Sequence, residues 1–422
     1  MNKPKFNRSL NVYLLTLLVA IFLTSCSDKK IHKEIDFHYV LNFEVLSHKV
    51  LNVKIDNFKK TIEVLMENGQ NFKSVKARLE LAANVSLLQP KTAVFTCDLT
   101  SPVEIYLKKG DETIKFKLLL QLQSKPLKIS STHWEQQSQF GYLPDYISVY
   151  KYKKDIFGKS VKAYIAVADI GQGKGKFSVL GEKKGAFTPL QFYQQNASPK
   201  VLLNGGYFWA GTSLGLMIKN GKTISKAEPV VTRKYNGEDA SYYPTTGAFG
   251  MESNGTFTAQ WAYHSGDILY AYPNPAPNKA GEKPSPIPDK NYPQGAKSWQ
   301  PREAIGAGPI LIKDGEYKNL WENELFDDAS GVGVNFNHPR SAAAYHPNGY
   351  VVFFVCEGRN KTPNTPGLSL KNVADLLLEL GCTAAINLDG GGSSCMLING
   401  KETIIPSDKN GQRAVTNALA IY

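Results

Sequence analysis

Ile386-Asn387-Leu388-Asp389-Gly390-Gly391-Gly392-Ser393-Ser394-Cys395-Met396 reads as a short strand that ends in a carboxylate, followed by three glycines and two hydroxyls. Side chains alternate between the faces of a strand, so Ala384, Ile386 and Leu388 share one face and Ala385, Asn387 and Asp389 the other. The first face is apolar and suits a core. The second is small and then polar, which suits a site. The glycines let the backbone take φ > 0 and let a ligand come close, and consecutive N–H groups in such a turn can form an anion-binding nest. A tight turn with a solvated Asp and Ser pair is the plainer reading. Three glycines flanked by Asn, Asp, Ser and Ser favour the site. If 386–389 and 394–398 pair as a hairpin, Cys395 faces about residue 387.

Upstream, Ser369 is a plausible N-cap for a helix striped by Leu370, Val373, Ala374, Leu377 and Leu380, and Gly381 ends it. Before it, 341–347 and 350–355 flank Asn348-Gly349, a two-residue hairpin signal. With Pro347 facing Tyr350, Arg340 faces Glu357 in a cross-strand ion pair. The run 351–356 is apolar on both faces and is expected to be central in a sheet. The unit 350–356, 370–380, 383–389 then predicts two parallel strands joined by a helix, with Glu357 and Asp389 at one edge. Carboxylates at neighbouring strand ends are what glycoside chemistry needs.

The same layout recurs earlier: the apolar 201–203 ends in Asn204-Gly205-Gly206. Residues 272–300, rich in Pro, Lys and Asn, have no periodicity and predict a long loop. In the N-terminal half, 52–56, 61–65, 75–79, 103–107 and 114–118 alternate apolar with polar between turn signals, the pattern of a small sandwich. No acid pair or His cluster occurs there, so it reads as a spacer or binding module.

Of 422 residues, 42% are hydrophobic and 20% charged, ordinary for a chain that buries a core. The net charge of +12 suits anionic partners such as phosphate-bearing glycans. No Lys/Arg run is interleaved with aromatics, so no nucleic-acid partner is expected. Lys3, Lys5 and Arg8 precede an apolar stretch at 12–23, and Leu23-Thr24-Ser25-Cys26 looks like a bacterial lipobox. The expectation is a signal peptide at 1–25, lipidation of Cys26, a tether at 26–35 and membrane attachment through the lipid. Ser27 after the cysteine favours the outer membrane of a bacterial envelope. Cys97, Cys356, Cys382 and Cys395 predict no essential disulfide, and no Cys/His spacing resembles a zinc site.

Across roughly 160–422 the chain resembles the phosphodiester glycosidase family. The resemblance rests on Asn204-Gly205-Gly206-Tyr207-Phe208, Gly306-Ala307-Gly308-Pro309, Pro339-Arg340-Ser341-Ala342, Glu357-Gly358-Arg359, Asn387-Leu388-Asp389-Gly390-Gly391-Gly392-Ser393-Ser394, Pro406-Ser407-Asp408 and Arg413-Ala414-Val415-Thr416-Asn417, in this order. One departure is Glu357-Gly358, where many relatives carry Asp-Gly.

The alternating N-terminal strands predict a small sandwich over 36–125, which resembles the immunoglobulin-like modules at the N-termini of many surface lipoproteins. An α+β catalytic domain, a mixed sheet with packed helices, follows over 126–422. The expected reaction is hydrolysis of a sugar-1-phosphodiester, or a related glycosidic bond, on an extracellular glycan, with no cofactor. Asp389 and Glu357 are the expected carboxylates, with Arg340 and Arg413 on the phosphate. Gly390, Gly391, Ser393 and Ser394 would supply short donors, and Asn204, Gly206, Asn387 and Asp408 would line the substrate site. Two alternatives are a non-catalytic glycan-binding lipoprotein and a metal-assisted phosphodiesterase using Asp389, Glu357 and Asp408.

Overall fold

The computed structural model describes residues 38–422 except 68–71, 124–126, 128 and 171–173. The expected signal segment, Cys26 and the tether lie outside these residues. The chain forms two units, Met1–Gln123 and Ser124–Tyr422, each with its own core.

In the first unit, alternation does what the sequence pattern implies: Val75–Leu81 buries every second side chain. A three-stranded sheet (Val40–Val45, Val75–Leu81, Val94–Cys97) packs on a five-stranded one (Val50–Asp56, Thr61–Glu67, Glu112–Gln123, Val103–Lys109, Ser86–Gln89) around Phe43, Leu79, Val64, Ile105 and Phe116. Thr61–Glu67 and Glu112–Gln123 run parallel and the other pairs antiparallel.

The second unit corrects the expectation of an α+β domain with packed helices. It is mostly β-sheet, and its α-helices among the described residues are Pro189–Gln195 and Leu370–Glu379. An eight-stranded sheet runs in the order Glu316–Tyr317, Ile310–Lys313, Ala384–Asn387, Arg340–His346, Tyr350–Cys356, Ala163–Asp169, Ile147–Tyr152, Trp134–Gln136. Its two faces enter different cores. Phe353, Val355, Ile386 and Leu388 pack with a five-stranded and a seven-stranded sheet, while Val352, Phe354, Cys356 and Ala385 pack under the helix Leu370–Glu379. That helix starts at Ser369, whose hydroxyl accepts from the Asn372 N–H in a capping box, and buries Leu370, Val373, Ala374, Leu376 and Leu377. Tyr350–Cys356 is central, buried on both faces. Between Ile268–Tyr272 and Lys297–Ser298 the chain is a long loop.

Three long-range features differ from the local reading. Arg340 pairs with Cys356 and His346 with Tyr350, so the hairpin is one residue out of the expected register. Arg340 therefore does not face Glu357. Next, Ala384–Asn387 and Tyr350–Cys356 do run in one direction, but they are not neighbours, because Arg340–His346 lies between them, antiparallel to both. Finally, the hairpin of 386–389 with 394–398 does not form. Met396–Ile398 pairs instead with Val201–Asn204, in the five-stranded sheet. The Asp389 turn is thus where the chain crosses from one sheet to another. It is pinned on both sides: the Leu388 N–H donates to Ser341 O at 2.9 Å and the Asp389 N–H to Gly205 O at 3.0 Å.

Candidate active site

At this crossing Asp389 and the three glycines form one wall of a pocket of about 170 Å3. Tyr207, His338, Arg340, Arg359 and Arg413 line the rest together with Gly331 and Val332. Burial pushes the Asp389 carboxyl up to about 6, against the pull of the Ser393 hydroxyl, the Arg413 charge and the Gly390 N–H. It is the carboxylate of this pocket.

The cations around it have unequal freedom. Arg340 is 2% exposed and spends its guanidinium on backbone carbonyls: Nε on Leu368, Nη1 on Val332, Nη2 on Gly333 and Phe336. It ties the loop 332–336 to the start of the helix and has one N–H left. Arg359 is exposed, and its guanidinium donates to the Ser407 hydroxyl at 3.4 Å. Arg413 donates its Nε to Asp408 at 2.7 Å and its Nη1 to the Ser393 hydroxyl at 3.4 Å. Asp408 therefore aims a guanidinium, and its carboxyl is held below the usual range by that bond. His338 is held below its ordinary value by burial and by Arg340 and Arg359, and is neutral at pH 7.

The glycines leave room for these cations. Gly391 has φ +59, and a Cβ there would stand 2.8 Å from Arg359 Nη2; a Cβ at Gly392 would stand 2.2 Å from Arg413 Nη2. Gly392→Ala is expected to displace the exposed Arg413 tip from the position in which Asp408 holds it, and to raise KM for an anionic substrate by about tenfold, the loss of one charged contact. The melting temperature should hardly change. An unchanged KM in steady-state assays would separate Arg413 from the site.

Glu357, expected in the site, is not in this pocket. It is 1% exposed and accepts from the Thr362 N–H at 2.6 Å, the Ile405 N–H at 3.0 Å and Lys162 Nζ at 2.9 Å. Burial raises its affinity for a proton, but these donors together outweigh it and hold the carboxyl below its ordinary value. Glu357, Asp389 and Asp408 do not converge, and among the described residues no group of three or more His, Cys, Asp or Glu side chains is placed to hold a metal.

The remaining predicted residues form a layer behind the pocket. Asn204 is fully buried: its Nδ2 donates to Asp389 O at 2.7 Å, and its Oδ1 accepts from the Ser341 hydroxyl at 2.7 Å and the Cys395 N–H at 3.1 Å. Its amide holds the turn in place. The Gly206 N–H is taken by Asn417 Oδ1 at 2.6 Å. Asn387 Nδ2 donates to the Tyr207 hydroxyl and to Gly308 O, both at 2.9 Å, while its buried Oδ1 and the Ser394 hydroxyl have no partner among the described residues. Tyr207 in turn donates to Gly308 O at 2.7 Å, and burial keeps its phenol protonated.

His338, Arg359 and Tyr207 were not among the expected site residues. Each adjoins or lies within a quoted motif: before Pro339-Arg340, at the end of Glu357-Gly358-Arg359, and after Asn204-Gly205-Gly206.

The family model described as phosphodiester glycosidase matches residues 198–422, more than half of the chain. Among curated proteins, the SPbeta prophage-derived uncharacterized protein YomE of Bacillus subtilis is 31% identical over 28% of this chain and 17% of its own length. The human N-acetylglucosamine-1-phosphodiester alpha-N-acetylglucosaminidase is 36% identical over 23% of this chain and 20% of its own length. The chain thus matches about a fifth of the length of these relatives. Among solved structures, the zebrafish N-acetylglucosamine-1-phosphodiester alpha-N-acetylglucosaminidase catalytic domain, auto-inhibited by its pro-peptide, is 20% identical with a TM-score of 0.46, covering 69% of this chain and 88% of that one.

Proposed function

Because this chain belongs to the phosphodiester glycosidase family, we propose that it hydrolyses a sugar-1-phosphodiester of an extracellular glycan, breaking the bond between the anomeric carbon of the glycan's sugar and the phosphodiester. The observation that carries the reading is one carboxylate, Asp389, sharing a small pocket with the guanidinium groups of Arg359 and Arg413. The cations suit the phosphate, which they would hold by charge-assisted hydrogen bonds. Ionised Asp389 suits the anomeric carbon, where positive charge develops as the bond to oxygen stretches. The C1–O bond breaks and the phosphate monoester departs with the electron pair, needing little protonation. Water oxygen bonds C1, and its proton passes to neutral His338.

The test is release of free sugar from a sugar-1-phosphodiester by purified protein. Arg359→Ala and Arg413→Ala should each raise KM by about tenfold or more, with the effect shrinking at high salt. Binding of the substrate without turnover would replace this reading with a glycan-binding protein. Turnover with both arginine variants at wild-type KM would move the phosphate elsewhere.

The proposal includes an envelope location, supported by the basic and apolar segment before Leu23-Thr24-Ser25-Cys26. Cys26→Ala is expected to shift the protein from the membrane to the soluble fraction, since acyl chains supply the anchoring. Membrane association unchanged on fractionation would rule out a lipid anchor at this residue.

A further inference from the structure

A second cavity, of about 600 Å3, adjoins the Asp389 pocket, and Tyr207 stands in the wall of both. Ser330 of the larger wall precedes Gly331 of the smaller one along the chain. The size lies within the range of small-molecule sites. Its walls include Phe208, Trp209, Leu214, Val230 and Phe326, and the rings of Tyr207 and Phe326 lie 5.7 Å apart. Trp209 is 77% exposed, Val230 59% and Leu214 55%. Three large apolar side chains held in water at one opening are a cost that a ligand can relieve. Trp209 has no ring contact among the described residues, and its position is fixed by the hairpin of Phe208–Trp209 with Thr212–Ser213, closed through Ala210 and Gly211 at φ +46 and +71.

The polar groups of this cleft are largely committed. Arg233 is bound to Asp327 at 2.6 Å and Lys226 to Asp267 at 3.1 Å. The buried Glu324 accepts from the Gly247 and Ile310 N–H groups, and the Ser213 hydroxyl accepts from Asn417. A sugar ring needs convergent free donors and acceptors, and few remain. An apolar group needs what the cleft offers. We infer that this cleft takes an apolar leaving group, the hydrocarbon or aromatic part of the ester carried on the far side of the phosphate. The inference rests on the proposed function, which places the phosphate at Arg359 and Arg413, in the pocket that shares Tyr207 with the cleft.

The test uses the full chain and two phosphate monoesters, methyl phosphate and octyl phosphate below its micelle concentration, by calorimetry. Octyl phosphate is expected to bind at least tenfold more tightly. The double variant Trp209→Ala, Val230→Ser should erase the difference without lowering the melting temperature, because both residues are exposed. Arg413→Ala should weaken both ligands by the same factor. Equal affinities in the wild type, a preference that survives the double variant, or no effect of Arg413→Ala would each overturn the inference. Turnover of the methyl and octyl esters of a sugar-1-phosphate is measured in parallel. If neither is hydrolysed while the octyl preference and its loss in the double variant hold, the hydrolytic reading fails and the apolar subsite stands. If the methyl ester is hydrolysed and no octyl preference is seen, the subsite fails and the hydrolytic reading stands.

Discussion

Asp389→Asn is expected to lower kcat on a sugar-1-phosphodiester by on the order of a hundredfold or more, the usual cost of losing a positioned charged group. Its stability should be unchanged or higher. The folded protein holds the Asp389 proton up to about pH 6, whereas an unfolded aspartate loses it near its ordinary value. Between those two values the folded state binds more protons, so stability falls as pH rises, and the penalty is complete above about 6. Asparagine never ionises and escapes it. The same titration predicts that kcat/KM of the wild type climbs through about pH 6 and levels off above it. His338 and Tyr207 are neutral on the plateau. The readouts are steady-state kinetics from pH 4.5 to 8 and melting curves on both proteins. Near wild-type turnover in Asp389→Asn would remove Asp389 from the chemistry.

Glu357→Ala should do the opposite: a large loss of stability and little loss of turnover per folded molecule. The substitution strands the Thr362 and Ile405 N–H groups and leaves Lys162 without its partner. Breaking a buried pair in this way costs about 3–5 kcal/mol, a fall in melting temperature on the order of 10 °C. Because the folded carboxyl sits below its ordinary value, its contribution is full at neutral pH and is lost as acid protonates it. The difference in melting temperature between wild type and variant should therefore narrow at low pH. A variant that melts like the wild type yet has lost turnover would restore Glu357 to the catalytic role its place in the sequence suggested.

That reversal shows where a sequence stops being informative. Local order was legible where the side-chain pattern was strong. The face carrying Ile386 and Leu388, the buried strand Tyr350–Cys356, the helix begun by Ser369 and the alternation in the first unit all follow from side-chain period and capping, which act within a few residues. The motifs also marked the neighbourhood of the pocket, because a carboxylate, three glycines and nearby arginines carry their chemistry wherever the chain puts them. Partners across the sheets were not legible. A one-residue change at the Asn348-Gly349 turn moves Arg340 from Glu357 to Cys356, and a period of two sends each side chain to the other face. No local pattern specifies that Met396–Ile398 pairs with Val201–Asn204. That pairing makes the Asp389 turn a bridge between sheets and turns Asn204 from a substrate contact into its clamp. Residue type and spacing determined what chemistry the chain holds; tertiary packing decided which polar atoms remain free to perform it, since buried donors and acceptors must first satisfy one another.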